Sequence, residues 1–169
     1  AWRAMEDAYK EGKLKAIGVS NFYPNILTNF CETVEIKPMV NQVELHPFFA
    51  QPEALETMKY YGVQPEAWAP LGVGRYDPFE HETLKVIAEA HGKSIGQVML
   101  RWNVQRGVVI IPKSTHENRI RENLDIWDFE LTAEDMEKIA GLDMGYQGTA
   151  VKHFDPDFVR MCVTRKIHA

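Results

Sequence analysis

The stretch "VVIIPKSTHENRIREN", residues 108–123, decides the fold class. The four residues that open it are all β-branched, which is typical of a buried strand. The strand is predicted at residues 107–112 and ends at Pro112; Lys113 and Ser114 follow, and a segment with helical spacing comes next. In α/β folds, ligands bind at the carboxyl ends of the strands. The stretch therefore predicts an α/β unit with a ligand held beyond this strand.

Outward from this stretch, the chain alternates between predicted strands and helices. Three further strands are predicted at residues 14–20, 38–45 and 63–70, although Pro65 weakens the third of them. Such alternation implies parallel pairing through right-handed crossovers. The predicted helices cover residues 1–12, 23–34, 52–62, 81–92, 94–107, 117–123 and 132–142, the last with Thr132 as N-cap and Asp135 three residues later.

Four parallel strands leave two open sheet edges, since they cannot close a barrel by themselves. A complete (β/α)8 barrel has eight strands and takes about 250 residues. The 169-residue chain therefore predicts half of such a barrel over residues 1–145, followed by a tail at 146–169 with little periodicity. A helix with an apolar face begins at the first residue, so we expect the chain to continue a preceding segment.

The composition argues against several classes of protein. The net charge is −5 and no basic stripe is present, so a nucleic-acid or anionic-membrane surface is not expected. No apolar run reaches the ~18 residues of a membrane span. Cys31 and Cys162 lie far apart without metal-ligand spacing, which predicts two free thiols and a reducing compartment such as the cytoplasm.

The residues at the four predicted strand ends form a polar set. Ser20 and Asn21 follow the first strand, Gln42 lies in the second, and Trp68 is near the end of the third. Together with Lys113 beyond the fourth, they suit a ligand that has a carboxamide, an aromatic ring and a phosphate. Taken singly, each has a simpler interpretation: a turn, a buried amide bound to backbone, a core indole or a polar strand cap.

Four long motifs extend this pattern: "EGKLKAIGVSNF" (11–22), "NQVELHPF" (41–48), "AWAPLG" (67–72) and "RGVVIIPKSTHENRIREN" (106–123). In their order and spacing they resemble the C-terminal half of the enzymes of the aldo-keto reductase superfamily. The resemblance is to the bacterial type of NADPH-dependent carbonyl reductase. The resemblance extends to about Leu142. It implies a (β/α)8 TIM barrel that binds NADPH in an extended conformation without a Rossmann fold.

The resemblance implies a nicotinamide end of the site. Ser20, Asn21 and Gln42 match the groups that hold the nicotinamide carboxamide, and Trp68 matches the aromatic residue that stacks on the nicotinamide ring. An amide side chain can both donate to and accept from a carboxamide. An indole face gives a broad stacking surface.

The resemblance also implies a phosphate end, and with it NADP rather than NAD. Arginine forks onto phosphate oxygens, and lysine supplies a point charge. The matching residues lie along the pyrophosphate (Leu71, Gly72), on the 2′-phosphate (Lys113, Ser114, Arg119) and around the adenine (Glu122, Asn123). His46 before Pro47 is interpreted as a structural turn residue, and Glu44 and Glu66 receive no role.

The residues that complete the family's chemistry are not found in this sequence. The resemblance implies carbonyl reduction by hydride transfer, with a tyrosine as proton donor assisted by a lysine, an aspartate and a histidine. The aspartate and tyrosine belong to a D-x-A-x-x-Y motif, which this chain lacks. We therefore expect no catalytic residue here and no activity from the chain alone.

Two functions remain open from the sequence. The chain is part of an NADPH-dependent reductase of small aldehydes or ketones, and its partner is a missing N-terminal half or a second copy paired through the open sheet edges. Alternatively, it is a non-catalytic nucleotide-binding half-barrel that assembles with another chain.

Overall fold

The structure is a computed structural model that describes residues 1–145 and 155–165. Strands and helices alternate along the chain. The strands are β1 (Gly18–Ser20), β2 (Val40–Glu44), β3 (Gln64–Trp68) and β4 (Val109–Ile110). The helices are α1 (Trp2–Lys10), α2 (Pro24–Thr33), α3 (Pro52–Tyr61), α4 (Glu82–His91), α5 (Ile95–Gln105), α6 (Glu117–Leu124), α7 (Ala133–Ala140) and α8 (Pro156–Thr164), with short 3-10 helices at Gly72–Gly74 and Pro78–Glu80.

The four strands form one parallel sheet in the order β1-β2-β3-β4. Each crossover therefore moves the chain to the next strand in the same direction, as in a (β/α)8 barrel. The predicted α/β unit with four parallel strands is confirmed. Among the described strands, β1 and β4 are the outer ones, and each is paired on one side.

The outer strands are shorter than the sequence predicts. Residues 14–20 were expected to be extended, but β1 has three residues, and β4 has two of the six expected at 107–112. A strand with one neighbour has half the ladder hydrogen bonds of a central strand, so its ends do not pair.

Pro65 lies inside β3, a position that a central strand rarely tolerates. The backbone N–H of Gln64 donates to Met39 on the β2 side. Successive residues of a strand point their N–H groups to alternate neighbours, so Pro65 faces the β4 side. There the ladder begins only at the pair Glu66 and Val109, and no ladder bond is lost.

Side chains alternate between the two faces of the sheet. Val43 and Ala67 are buried against the helices, together with Met58, Met99 and Trp102. The opposite face, which is the interior face in a barrel, is largely polar. It carries Ser20, Gln42, Glu44, Glu66 and Trp68.

Helices α5 and α7 each begin with a capping box, and the one at α7 was predicted. The Thr132 hydroxyl accepts from the backbone N–H of Asp135, and the Asp135 carboxylate accepts from Thr132, which confirms the predicted capping box at α7. Ser94 and Gln97 make the same arrangement at the start of α5. This capping fixes where α5 begins, next to the ends of β3 and β4.

The tail differs from its prediction in one respect. It was expected to have little periodicity, yet α8 lies within it. Helix α8 has a capped N-terminus: the Asp155 side chain accepts from the N–H of Asp157, and Pro156 occupies the first turn. No residue of α8 is buried. The rest of the predicted tail, residues 146–154 and 166–169, lies outside the described residues.

Candidate functional site

A cavity of about 810 Å³ opens beyond the carboxyl ends of β3 and β4. Its volume falls within the ~300–1,000 Å³ of sites for small molecules and cofactors. The loop after β3, the start of α5, the segment after β4 and helix α6 enclose it. Its lining consists of Trp68, Ala69, Pro70, Leu71, Val73, Gly74, Phe79, Ser94, Gly96, Ile111, Pro112, Lys113, Ser114, Arg119, Glu122 and Asn123.

The cavity brings together seven of the eleven residues singled out in the sequence. They come from three separate segments of the chain, at 68–71, 113–114 and 119–123. The seven are Trp68, Leu71, Lys113, Ser114, Arg119, Glu122 and Asn123.

Gly72 follows Leu71 in the loop but does not line the cavity. Its φ is +73°, a backbone conformation that favours glycine, and a Cβ built there would lie 3.6 Å from the ring of Tyr76. Gly72 is buried and shapes the loop that carries Leu71.

The other three predicted residues lie beside the cavity and are joined to it through Trp68. The Trp68 indole Nε1 donates to Asn21 Oδ1 at 2.8 Å, and Asn21 Nδ2 donates to Ser20 Oγ at 3.1 Å. Ser20 Oγ donates to the carbonyl of Gln42 at 3.0 Å. Ser20, Asn21, Gln42 and Trp68 therefore form one connected network across the ends of β1, β2 and β3.

This network fixes the plane of the indole. Asn21 has φ +57°, in the left-handed region that asparagine tolerates better than most residues. That turn presents its amide oxygen to the indole N–H. Trp68 lines the cavity with its N–H already bound, so its ring is held in one orientation.

Two cations at the opposite side of the lining are available to a ligand. In the residues that the structure describes, neither Lys113 nor Arg119 takes part in an ion pair. Arg121, two residues after Arg119, is instead paired with Glu117 at 2.7 Å. The Ser114 hydroxyl accepts from the N–H of His116 at 3.1 Å, where helix α6 begins. The arrangement can receive an anionic group.

Nine residues of the lining were not singled out from the sequence: Ala69, Pro70, Val73, Gly74, Phe79, Ser94, Gly96, Ile111 and Pro112. Ser94 carried a usable signal, because Ser-x-x-Gln marks the start of a helix. A Cβ at Gly96 would lie 3.8 to 4.0 Å from Ser94, Phe79 and Leu71, so these groups pack closely. The position of Phe79 depends on the long loop after β3, which has no local sequence signature.

His46 is part of a buried pair. Its Nε2 lies 3.3 Å from Glu44 Oε1, and both side chains are fully buried. His46 also forms a backbone bridge with Phe49, and the Gln51 side chain donates to the carbonyl of Glu44. These contacts agree with the structural turn role expected for His46.

Among residues 1–145 and 155–165, no group of three or more histidine, cysteine or acidic side chains is placed to hold a metal ion. Cys31 and Cys162 are both free thiols. No helix in the described part of the chain is long and apolar enough to cross a membrane.

The family model for the aldo/keto reductase family matches residues 1–144. The chain belongs to this family. Its sequence is 54% identical, over 142 residues, to the glyoxal reductase of Bacillus subtilis (strain 168), which covers 84% of the chain and 51% of that protein.

Solved structures of family members show the same fold. An aldo-keto reductase from a Medee basin deep-sea metagenome library superposes with a TM-score of 0.84 at 42% identity, covering 86% of this chain and 54% of that one. A second aldo-keto reductase, solved in complex with NADPH, gives a TM-score of 0.82 at 30% identity over 89% of this chain and 49% of that one. The chain spans about half the length of these relatives.

Proposed function

We propose that this aldo/keto reductase chain binds NADP(H) in the cavity beyond β3 and β4. The observation that carries the proposal is that a fixed aromatic platform and two cations, neither in an ion pair with a described residue, line the same cavity. An aromatic platform suits a nicotinamide ring, and two cations suit a phosphate. The solved relative in complex with NADPH supports the choice of cofactor.

At the nicotinamide end, Trp68 would stack on one face of the ring and leave the other face open to a substrate. Gln42, Ser20 and Asn21 would hold the carboxamide, since amide and hydroxyl groups can donate and accept in the pattern that a carboxamide needs. Fixing the ring in this way sets which face meets the substrate.

At the phosphate end, Lys113, Ser114 and Arg119 would hold the 2′-phosphate that distinguishes NADP from NAD. Leu71 would lie along the pyrophosphate with Gly72 shaping its loop, and Glu122 and Asn123 would contact the adenine. The cations are exposed enough to exchange water for phosphate oxygens, and Arg119 offers a planar fork of donors.

The reaction we propose for the complete barrel is the reduction of a small aldehyde or ketone to an alcohol. Bound NADPH would supply the hydride. This chain's residues hold and orient the cofactor, while the proton comes from a half that carries the D-x-A-x-x-Y motif. The similarity to a glyoxal reductase supports a small carbonyl substrate. The two free thiols fit a reducing compartment, and we propose the cytoplasm.

Tyr23, which follows β1, is poorly suited to be the proton donor. It is the N-cap residue of α2 and lies close enough to the buried Glu44 to interact electrostatically with it. Burial raises the pKa of the Tyr23 hydroxyl to about 12, and the Glu44 carboxylate contributes in the same direction. A catalytic tyrosine needs its pKa lowered toward the working pH. This favours a donor from the complementary half, which would pair with the open edges of β1 and β4.

A second candidate is a nucleotide-binding half-barrel with no catalytic role, and the absence of D-x-A-x-x-Y favours it. A chimeric barrel distinguishes the reductase from the non-catalytic candidate. In this protein, residues 1–169 are joined to the half of the Bacillus subtilis glyoxal reductase that this chain does not match. NADPH oxidation is measured with a panel of aldehydes and ketones.

We expect turnover from the chimeric barrel and none from residues 1–169 alone. A chimeric barrel that binds NADPH but reduces none of the carbonyls would favour the non-catalytic candidate. Turnover by residues 1–169 alone would show that a proton donor lies within them.

A further inference from the structure

Glu66 and Gln42 face each other across the sheet. They are directly paired in the register of β2 and β3, so their side chains lie on the same interior face. Gln42 Nε2 donates to Glu66 Oε1 at 2.6 Å. Both side chains are partly buried, so the contact is shielded from competing water on one side.

This bond decides which way the Gln42 amide points. A carboxylate has only acceptor oxygens, so Glu66 selects the NH₂ end of the Gln42 amide. Gln42 Oε1 is then directed away from Glu66. Among the described residues, that oxygen has no hydrogen-bond partner.

We propose that Glu66 is a positioning residue that holds Gln42 with its oxygen ready to accept an N–H from the nicotinamide carboxamide. This inference rests on the proposed function, since it assigns how one group of that site recognises its ligand. Without Glu66, the Gln42 amide can rotate and present its NH₂ group to the carboxamide NH₂, which gives no hydrogen bond. Glu66 thus makes Gln42 selective for a carboxamide over groups that lack an N–H.

The test uses the chimeric barrel with two substitutions of similar size. Glu66→Gln keeps an oxygen that can accept from Gln42, whereas Glu66→Met removes it. Dissociation constants are measured for three ligands: NADP⁺, its 3-acetylpyridine analogue, which lacks the amide N–H, and 2′,5′-ADP, which lacks the nicotinamide.

We expect Glu66→Met to weaken NADP⁺ binding by about five- to tenfold, the effect of losing one oriented hydrogen bond. The acetylpyridine analogue should lose much less, and 2′,5′-ADP binding should not change. Glu66→Gln should bind all three ligands as the unsubstituted barrel does. In a Gln42→Met background, Glu66→Met should cause no further loss of NADP⁺ affinity, because both substitutions remove the same interaction.

Unchanged 2′,5′-ADP binding also reports that the variant is folded. Equal losses for NADP⁺ and the acetylpyridine analogue would overturn the inference and leave the proposed function standing. If the unsubstituted barrel bound neither NADP⁺ nor 2′,5′-ADP, the proposed function itself would fail. If Glu66→Met does not fold, the Gln42→Met variant provides the test. A Gln42→Met barrel that prefers NADP⁺ over the acetylpyridine analogue as strongly as the unsubstituted barrel does would overturn the inference.

Discussion

Replacing Arg119 by alanine in the chimeric barrel should weaken NADPH binding and leave NADH binding almost unchanged. Arg119 lines the cavity, lies on the surface-exposed side of α6 and is in no ion pair among the described residues. Its guanidinium is therefore free to hold the 2′-phosphate, a group that NADH lacks. The change removes one charge-assisted contact while the rest of the dinucleotide site stays in place.

The size of the effect follows from this exposure. Hydrogen bonds to charged groups contribute about 1.5–3 kcal/mol, and solvent places an exposed one at the lower limit. A loss of about 1.5 kcal/mol corresponds to roughly tenfold weaker NADPH binding. The difference between Arg119→Ala and the parent should shrink as salt is raised, since both charges are partly solvated.

Isothermal titration calorimetry with NADPH and NADH measures both dissociation constants. Arg121→Ala is the matched control, because Arg121 lies on the same helix and is paired with Glu117 at 2.7 Å. It should change neither constant. A Arg119→Ala variant that weakens NADPH and NADH by the same factor would refute the 2′-phosphate assignment, as would an equal effect of Arg121→Ala.

Two further outcomes follow from the contacts. NADPH should quench the fluorescence of Trp68, so Trp68→Phe should remove much of the quenching. Trp127, which is 67% exposed, is the control, and Trp127→Phe should leave the quenching in place. If instead Trp127→Phe removed the quenching and Trp68→Phe did not, Trp68 would be a packing residue only. Burial alone would raise the pKa of Asp135, but hydrogen bonds from His91 and Thr132 outweigh burial and lower that pKa. Asp135→Asn should therefore lower the free energy of unfolding by about 1–2 kcal/mol at pH 7. The stabilisation by Asp135 is present above the ordinary aspartate pKa of about 4, and it is lost as the pH falls through the lowered pKa of Asp135. Urea unfolding should therefore give the same free energy of unfolding for Asp135→Asn and for the parent at low pH. A difference that persists at low pH would contradict this prediction.

Much of the site could be predicted because its residues lie in continuous motifs. Lys113 and Ser114 follow a strand directly, and Arg119 lies five residues after Ser114 in the first turn of α6, so local sequence places all three together. Trp68 could be placed near the same point because the ends of parallel strands meet at one edge of the sheet. The capping box at Thr132 needs only four consecutive residues, and it too was found.

The contacts that were missed depend on register and on long loops. Glu66 meets Gln42 because the register of β2 and β3 pairs these two residues, and neither strand's sequence alone specifies that register. Phe79 lines the cavity because of the conformation of the loop before it, in which Val73, Tyr76 and Asp77 have positive φ. These conformations could not be predicted from the residue types. Helix α8 was missed although its start, Asp155 followed by Pro156, is a local helix signal.

The most direct measurement is a crystal structure of the chimeric barrel with NADP⁺. We expect one extended dinucleotide in the cavity beyond β3 and β4, with the nicotinamide ring on the face of Trp68 and the 2′-phosphate within hydrogen-bond distance of Lys113 and Arg119. A dinucleotide bound elsewhere, or one whose 2′-phosphate lies away from both cations, would contradict it.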